Sequence, residues 1–247
     1  MSYVETEMNS MVFGTEVVSS EERMQNYGFA FIPGGQVRMG TDRPLPCGVE
    51  GHRKNETPVR VEKVDPFWMS RIKVTNKEFE RFMPKHNRSP LSPSDEHPVV
   101  DVMYGEVIHY AKWLAEQEGL LVRLPTEKEW VLAASPNNTE YPHGDHPNVF
   151  AGHVHNDGHE HMAVPVGDPR WKPNERGLDQ MGYNVSEFVL GIYDAPGHGG
   201  ALTDGCYCIA KGGNWGHCKR TPRVATRGIV DIATRSTRLG FRLACDA

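Results

Sequence analysis

Four histidines, His153, His155, His159 and His161, sit at even separations along one stretch of this 247-residue chain. In an extended segment such positions share a face, so their imidazoles could converge on zinc, copper or iron. No Cys or Glu stands beside them at a familiar zinc spacing, and the reading taken is a solvated histidine-rich loop. Nearer the C-terminal end, His217 and Cys218 follow Asn214, and one imidazole plus one thiolate can bind copper. The same run places Trp215, His217, Lys219 and Arg220 together, the aromatic and cationic types that dominate interface hot spots. Cys206 and Cys208, one residue apart, read as partly buried thiols.

Composition limits what these residues can belong to. With 38% hydrophobic residues, 25 Gly and 18 Pro, the chain can bury one sizeable core but is too loop-rich for a helical bundle. The formal charge is −5, and 27 basic residues scattered among 32 acidic ones do not make a nucleic-acid surface. No apolar run is long enough to span a bilayer. The opening MSYVETEMNS carries acids where a signal peptide carries bases, which points to the cytoplasm, or to a virion if the chain is phage-encoded. Five cysteines do not form a disulfide framework and read as reduced thiols.

Residues 1–27 are polar and acidic and read as an arm or linker, with Met8, Met11, Val12 and Phe13 as a docking segment; residues 28–247 form the domain. Two apolar runs around Pro33-Gly34-Gly35 predict a hairpin over Phe29 to Gly40, and a strand follows at Val59 to Val64. Thr75 and Glu78 have capping-box spacing and open a helix. A second helix runs from about Tyr104 to Gln117, with Val107, Tyr110, Ala111 and Leu114 on one stripe, and ends at Gly119. Thr126 and Glu129 repeat the capping box. From Ala134 to about Lys211 the chain reads as a long irregular region, rich in Gly, Pro, His and Asn.

Several of these strings have a family likeness. Lys211-Gly-Gly-Asn-Trp215, then Arg223-Val-Ala-Thr-Arg227, then Leu239-Gly-Phe-Arg-Leu-Ala244, together with Arg123-Leu-Pro-Thr-Glu-Lys-Glu-Trp130, resemble the formylglycine-generating-enzyme family. The resemblance implies an α+β, C-type lectin-like fold, with Arg223 and Arg227 in buried ion pairs with core acids. It also implies calcium. Gly177-Leu-Asp-Gln-Met-Gly-Tyr-Asn-Val-Ser-Glu-Phe188 is similar to the family's calcium segment, which makes Gln180 and Glu187 side-chain ligands and Tyr183 and Val185 carbonyl ligands. Here Gln180 replaces an acid or Asn, and Tyr183 replaces Gly. A second calcium set would be Asn148 and Asp157 through side chains, with Val149 and His159 through carbonyls.

Copper is not expected. The family's two copper-binding cysteines fall at about His217 and Pro222 in this chain, and Cys218 is one residue out of register. A histidine-iron branch of the same fold needs an N-terminal helical domain, which the histidine-free arm does not provide. The chain therefore reads as a non-catalytic binding or display module, a phage or bacterial recognition protein or virion component, meeting a protein or surface ligand through its C-terminal face. The alternative is a metal-dependent oxidoreductase with a site rebuilt from His217, Cys218 and Asn214.

Overall fold

A computed structural model describes residues 20–42, 55–145, 162–193, 207–216 and 223–247. In chain order its elements are α1 (Ser20–Asn26), β1 (Phe29–Ile32), β2 (Gly35–Met39), β3 (Arg60–Val64), β4 (Phe67–Ser70), α2 (Asn76–Phe82), α3 (Tyr104–Glu118), β5 (Val122–Arg123), α4 (Glu127–Ala134), β6 (Ser186–Ile192), β7 (Tyr207–Lys211), β8 (Arg227–Asp231), β9 (Leu239–Gly240) and β10 (Ala244–Asp246). The strands form sheets ordered β1-β4-β10-β5, β2-β3 and β8-β7-β6-β9, an α+β arrangement. Every pairing is antiparallel except β6 with β9.

Strand β4 explains how one short sheet serves two cores. All four of its residues are buried, because successive side chains point to opposite faces. Trp68 joins the core of Phe79, Tyr110 and Phe241, whose rings lie edge-to-face or tilted at 5.4–6.2 Å. Phe67 and Met69 join Trp130, Leu178 and Val189 on the other side. Each such side chain contributes about 1.5–3 kcal/mol through removal from water. The C-terminal β10 lies between β4 and β5, so the last residues of the chain close the sheet that the first ones open.

Local signals are met. Thr75 and Thr126 each accept from the backbone N–H three residues on, while Glu78 and Glu129 reach back to the cap N–H, and Gly119 ends α3 in the left-handed region (φ 62°). The predicted hairpin is not formed. Strand β1 pairs with β4 and β2 pairs with β3, since Pro33-Gly34 carries the chain from one sheet to the next. Gly34 lies so close to β3 that a Cβ would stand 2.5 Å from the Val64 carbonyl oxygen. The region read as irregular holds two strands, β6 and β7. Helix α1 lies within the predicted arm, yet its Met24 is only 5% exposed and belongs to the first core. Packing thus begins before residue 28.

Candidate functional site

Glu187, at the start of β6, is fully buried and would be untenable alone. Four N–H groups answer its carboxylate. Arg242 Nε and Trp130 Nε1 donate to Oε2 at 2.7 and 2.9 Å, while Arg242 Nη2 at 3.1 Å and Lys73 Nζ at 3.1 Å approach Oε1. Arg242 spends its other donors on the carbonyls of Ser70, Arg71 and Asp179. Burial works against the Glu187 charge, but Arg242 and Lys73 outweigh it and hold the carboxyl at about 2. Burial pushes Lys73 down to about 8, with Glu187 pulling the other way, so the ammonium is still protonated at neutral pH.

The loop before Glu187 is bound by side-chain amides. Gln180 and Asn184 both take left-handed backbone conformations, φ 49° and 68°. Gln180 Oε1 accepts from Asn184 Nδ2 at 2.7 Å, and Gln180 Nε2 donates to the Pro165 carbonyl at 2.8 Å. Asn184 also exchanges two hydrogen bonds with the Val164 backbone. Tyr183 is buried against Trp171, and Val185 packs with Val100 and Ala163. The fold therefore brings the expected ligands Gln180, Tyr183, Val185 and Glu187 into one segment. Their two side chains do not fit a calcium site, because the oxygens of Gln180 and Glu187 already accept from protein N–H groups. The other expected set, Asn148, Val149, Asp157 and His159, lies outside the described residues, as do His153, His155 and His161. Among the described residues no group of three or more His, Cys, Asp or Glu side chains is placed to hold a metal.

Beyond Trp130 the other charges are closed too. Arg223 Nη2 pairs with Glu56 at 3.0 Å, a buried arginine pair as expected, while Arg227 Nη2 pairs with Glu127 at 2.9 Å in a half-buried position. Lys211 is 1% exposed, 3.5 Å from Glu127 and 5.6 Å over the Trp130 ring. Sequence reasoning missed both buried lysines. Lys211 stands in the Lys211–Trp215 block, whose pattern carries no sign of its electrostatic role, and no local pattern marks position 73. Cys208 is a core thiol, raised to about 12 by burial; Cys206 lies outside the described residues.

The Gly212–Gly216 segment leads outward from this interior. Gly212 (φ 75°) packs against Gly182 and Trp130 so tightly that a Cβ would meet them at 2.9 and 3.2 Å. Gly213 N donates to Gly182 O and Trp215 N to Asn184 O, both at 2.8 Å. Asn214 Nδ2 donates to Ser186 Oγ at 3.1 Å, and its Oδ1 accepts from Gly216 N. Trp215 is half-buried, with Nε1 donating to Thr237 O at 3.3 Å. The exposed Arg238 guanidinium stacks over that indole, 4.5 Å from the ring centroid. It has no carboxylate partner among the described residues. His217, Cys218, Lys219, Arg220 and Pro222 lie outside them.

The chain matches the sulfatase-modifying factor enzyme 1-like domain over residues 14–247. It is 25% identical to the formylglycine-generating enzyme of Thermomonospora curvata, with 89% of this chain and 93% of that one covered. To the inactive C-alpha-formylglycine-generating enzyme 2 of Bos taurus it is 26% identical, with 90% and 89% covered. Treponema denticola variable protein 1 has the same fold, with a TM-score of 0.72 at 17% identity over 89% of this chain and 95% of that one.

Proposed function

Since the chain belongs to the sulfatase-modifying factor enzyme 1-like family, we propose that it is a non-catalytic binding module, meeting a protein or surface ligand through the face around Trp215. The stack of Arg238 on Trp215 carries this reading. A planar guanidinium braced on an aromatic ring, with no carboxylate beside it among the described residues, is preorganised for a carboxylate of a partner, and Trp and Arg are the residues that most often anchor interfaces. Lys219 and Arg220 would add cationic charge to the same face. The family accommodates such a role, since one of its mammalian members bears the name inactive.

A second reading rests on the bacterial relative named a formylglycine-generating enzyme. It is an oxidase with a metal site rebuilt from His217, Cys218 and Asn214. Asn214 is held by Ser186 and Gly216, an arrangement suited to shaping the turn. Metal analysis of protein purified with copper separates the readings. The binding module carries far less than one copper per chain and consumes no oxygen with a thiol substrate. Stoichiometric copper with turnover that vanishes in Cys218→Ser would overturn it.

A further inference from the structure

We propose that the Lys73 ammonium is a built-in cation for the segment that the family likeness assigns to calcium, meeting the Glu187 carboxylate and, rather than the Gln180 side chain, the Gln180 main-chain carbonyl, so that this segment holds its shape without a metal. Lys73 is 1% exposed. Its Nζ donates to the Gln180 carbonyl at 2.7 Å and lies 3.1 Å from Glu187 Oε1. One charged group thus ties a loop carbonyl to the carboxylate of the strand that follows, the bridging a bound cation would perform.

The surrounding residues agree with that assignment. A calcium ion needs six to eight oxygens with free lone pairs. Here Gln180 Oε1 accepts from Asn184, and both oxygens of Glu187 face N–H donors from Arg242, Trp130 and Lys73. Two positive side chains already face one carboxylate, so a divalent ion would be repelled by both as well as short of ligands. Asp179 and Glu187 are the negative charges acting on Lys73, with Arg242 the opposing positive one. Two cations therefore balance two anions. On this view the neutral residue at position 180 and the lysine at position 73 belong together. An acid at 180 would put a third carboxylate in the cluster, and a neutral residue at 73 would leave the Gln180 carbonyl with the Tyr183 N–H alone.

The consequence reaches the outer face. Asn184 lies in the same clamped loop and its carbonyl holds the Trp215 N–H at 2.8 Å, so the platform under Arg238 is fixed by a lysine inherent to the chain. Calcium level would then leave that platform unchanged.

Hydrogen exchange of residues 179–187 tests this directly, measured in excess EDTA and in millimolar calcium. It uses the intact chain and an Asn148→Ala/Asp157→Ala variant, in which the other expected set is removed. Protection is expected to change by less than about twofold between the two conditions in that variant, whereas the intact chain also reports any calcium held by Asn148 and Asp157. Exchange accelerated about tenfold or more by EDTA within 179–187 of that variant would overturn the proposal. A second arm exchanges the cation. Lys73→Ala/Gln180→Asp should melt well below the parent, on the order of 5–10 °C, and recover part of that loss on adding calcium. Loss of the domain altogether in that variant leaves the exchange experiment decisive. A parent chain whose own melting temperature rises with calcium after Asn148→Ala/Asp157→Ala would also refute it.

Discussion

Trp130 and Trp215 each carry a cation over the ring, and they differ in what else the cation meets. Lys211 lies over Trp130 inside the fold, 3.5 Å from Glu127, and the indole N–H donates to Glu187. Arg238 lies over Trp215 at the surface and meets no carboxylate among the described residues. Inside, the buried Glu187, Lys73, Arg242 and Lys211 are all paired, because an unpaired buried ion is costly; outside, water solvates the guanidinium and it needs no acid to be stable. The interior pair holds the fold. The exterior pair is the one left available for a partner. The two regions are joined through Asn184, whose carbonyl holds Trp215.

The comparison is broken most severely at Glu187. Glu187→Ala leaves Lys73 and Arg242 buried without their shared anion and should cost about 3–5 kcal/mol, enough to abolish folding of a marginal domain. Arg238→Ala removes an exposed stack and should cost less than about 1 kcal/mol. Urea midpoints of the two variants measure the difference. Equal losses would mean that the outer stack is as structural as the inner cluster.

Acid should attack the interior in a defined window. The Glu187 carboxyl is held at about 2 against an ordinary 4.5, burial being outweighed by Arg242 and Lys73. A depressed folded value means that its contribution, on the order of 3 kcal/mol, is complete above pH 4.5 and is lost as pH falls toward 2. The more exposed Arg88–Glu80 pair shifts the same way, its carboxyl lowered chiefly by the Arg88 hydrogen bonds. Added salt weakens that pair and spares the buried one. Denaturation midpoints at pH 6, 4 and 3 in high salt should therefore still show the decline, and a flat profile would mean that Glu187 is not charged in the fold.

Calcium sharpens the same contrast by a smaller amount. If Asn148 and Asp157 hold the ion, EDTA should lower the melting temperature by several degrees, and Asn148→Ala/Asp157→Ala should remove that response. A response that survives the double substitution would move calcium to the Glu187 cluster.

How much of this was legible depended on sequence distance. The Thr75–Glu78 and Thr126–Glu129 boxes and the Gly119 cap are written within one turn of helix, so residue type and spacing suffice. The β1–β2 hairpin was misread because a Pro-Gly-Gly turn fixes a change of direction without fixing the strand's partner, and β4 lies far along the chain. Arg223 and Arg227 were placed in ion pairs by family likeness, but their acids, Glu56 and Glu127, carry no local mark. Lys73 was the hardest. Nothing in Arg71-Ile-Lys-Val74 shows that its ammonium is buried beside a carboxylate contributed by β6. Strand β6 is hidden by the glycines and polar residues around it, although its Phe188 and Val189 are both buried.

The smallest effect on stability should come at Gly216, where the outer stack can be disturbed without touching the interior. A Cβ there would stand 2.6 Å from Arg238 Cζ and 2.7 Å from its Nε. Those atoms are the far end of an exposed, flexible side chain, so the clash is relieved by swinging the guanidinium off the Trp215 ring rather than by moving backbone. Gly216→Ala should then leave the melting temperature unchanged, within about 0.5 kcal/mol, as surface substitutions do. If the stack presents the cation to a partner, the same substitution should still weaken binding about fivefold, the equivalent of one exposed cation–π contact. Charge reversal in Arg238→Glu should weaken it further, again without unfolding the domain. Titration of the partner against all three proteins at fixed salt reads the order. Unchanged affinity in Gly216→Ala beside a large loss in Arg238→Glu would show that the charge matters and its seat on Trp215 does not. Unchanged affinity in both would remove this face from recognition and leave the interior cluster as the only part of the comparison with a function.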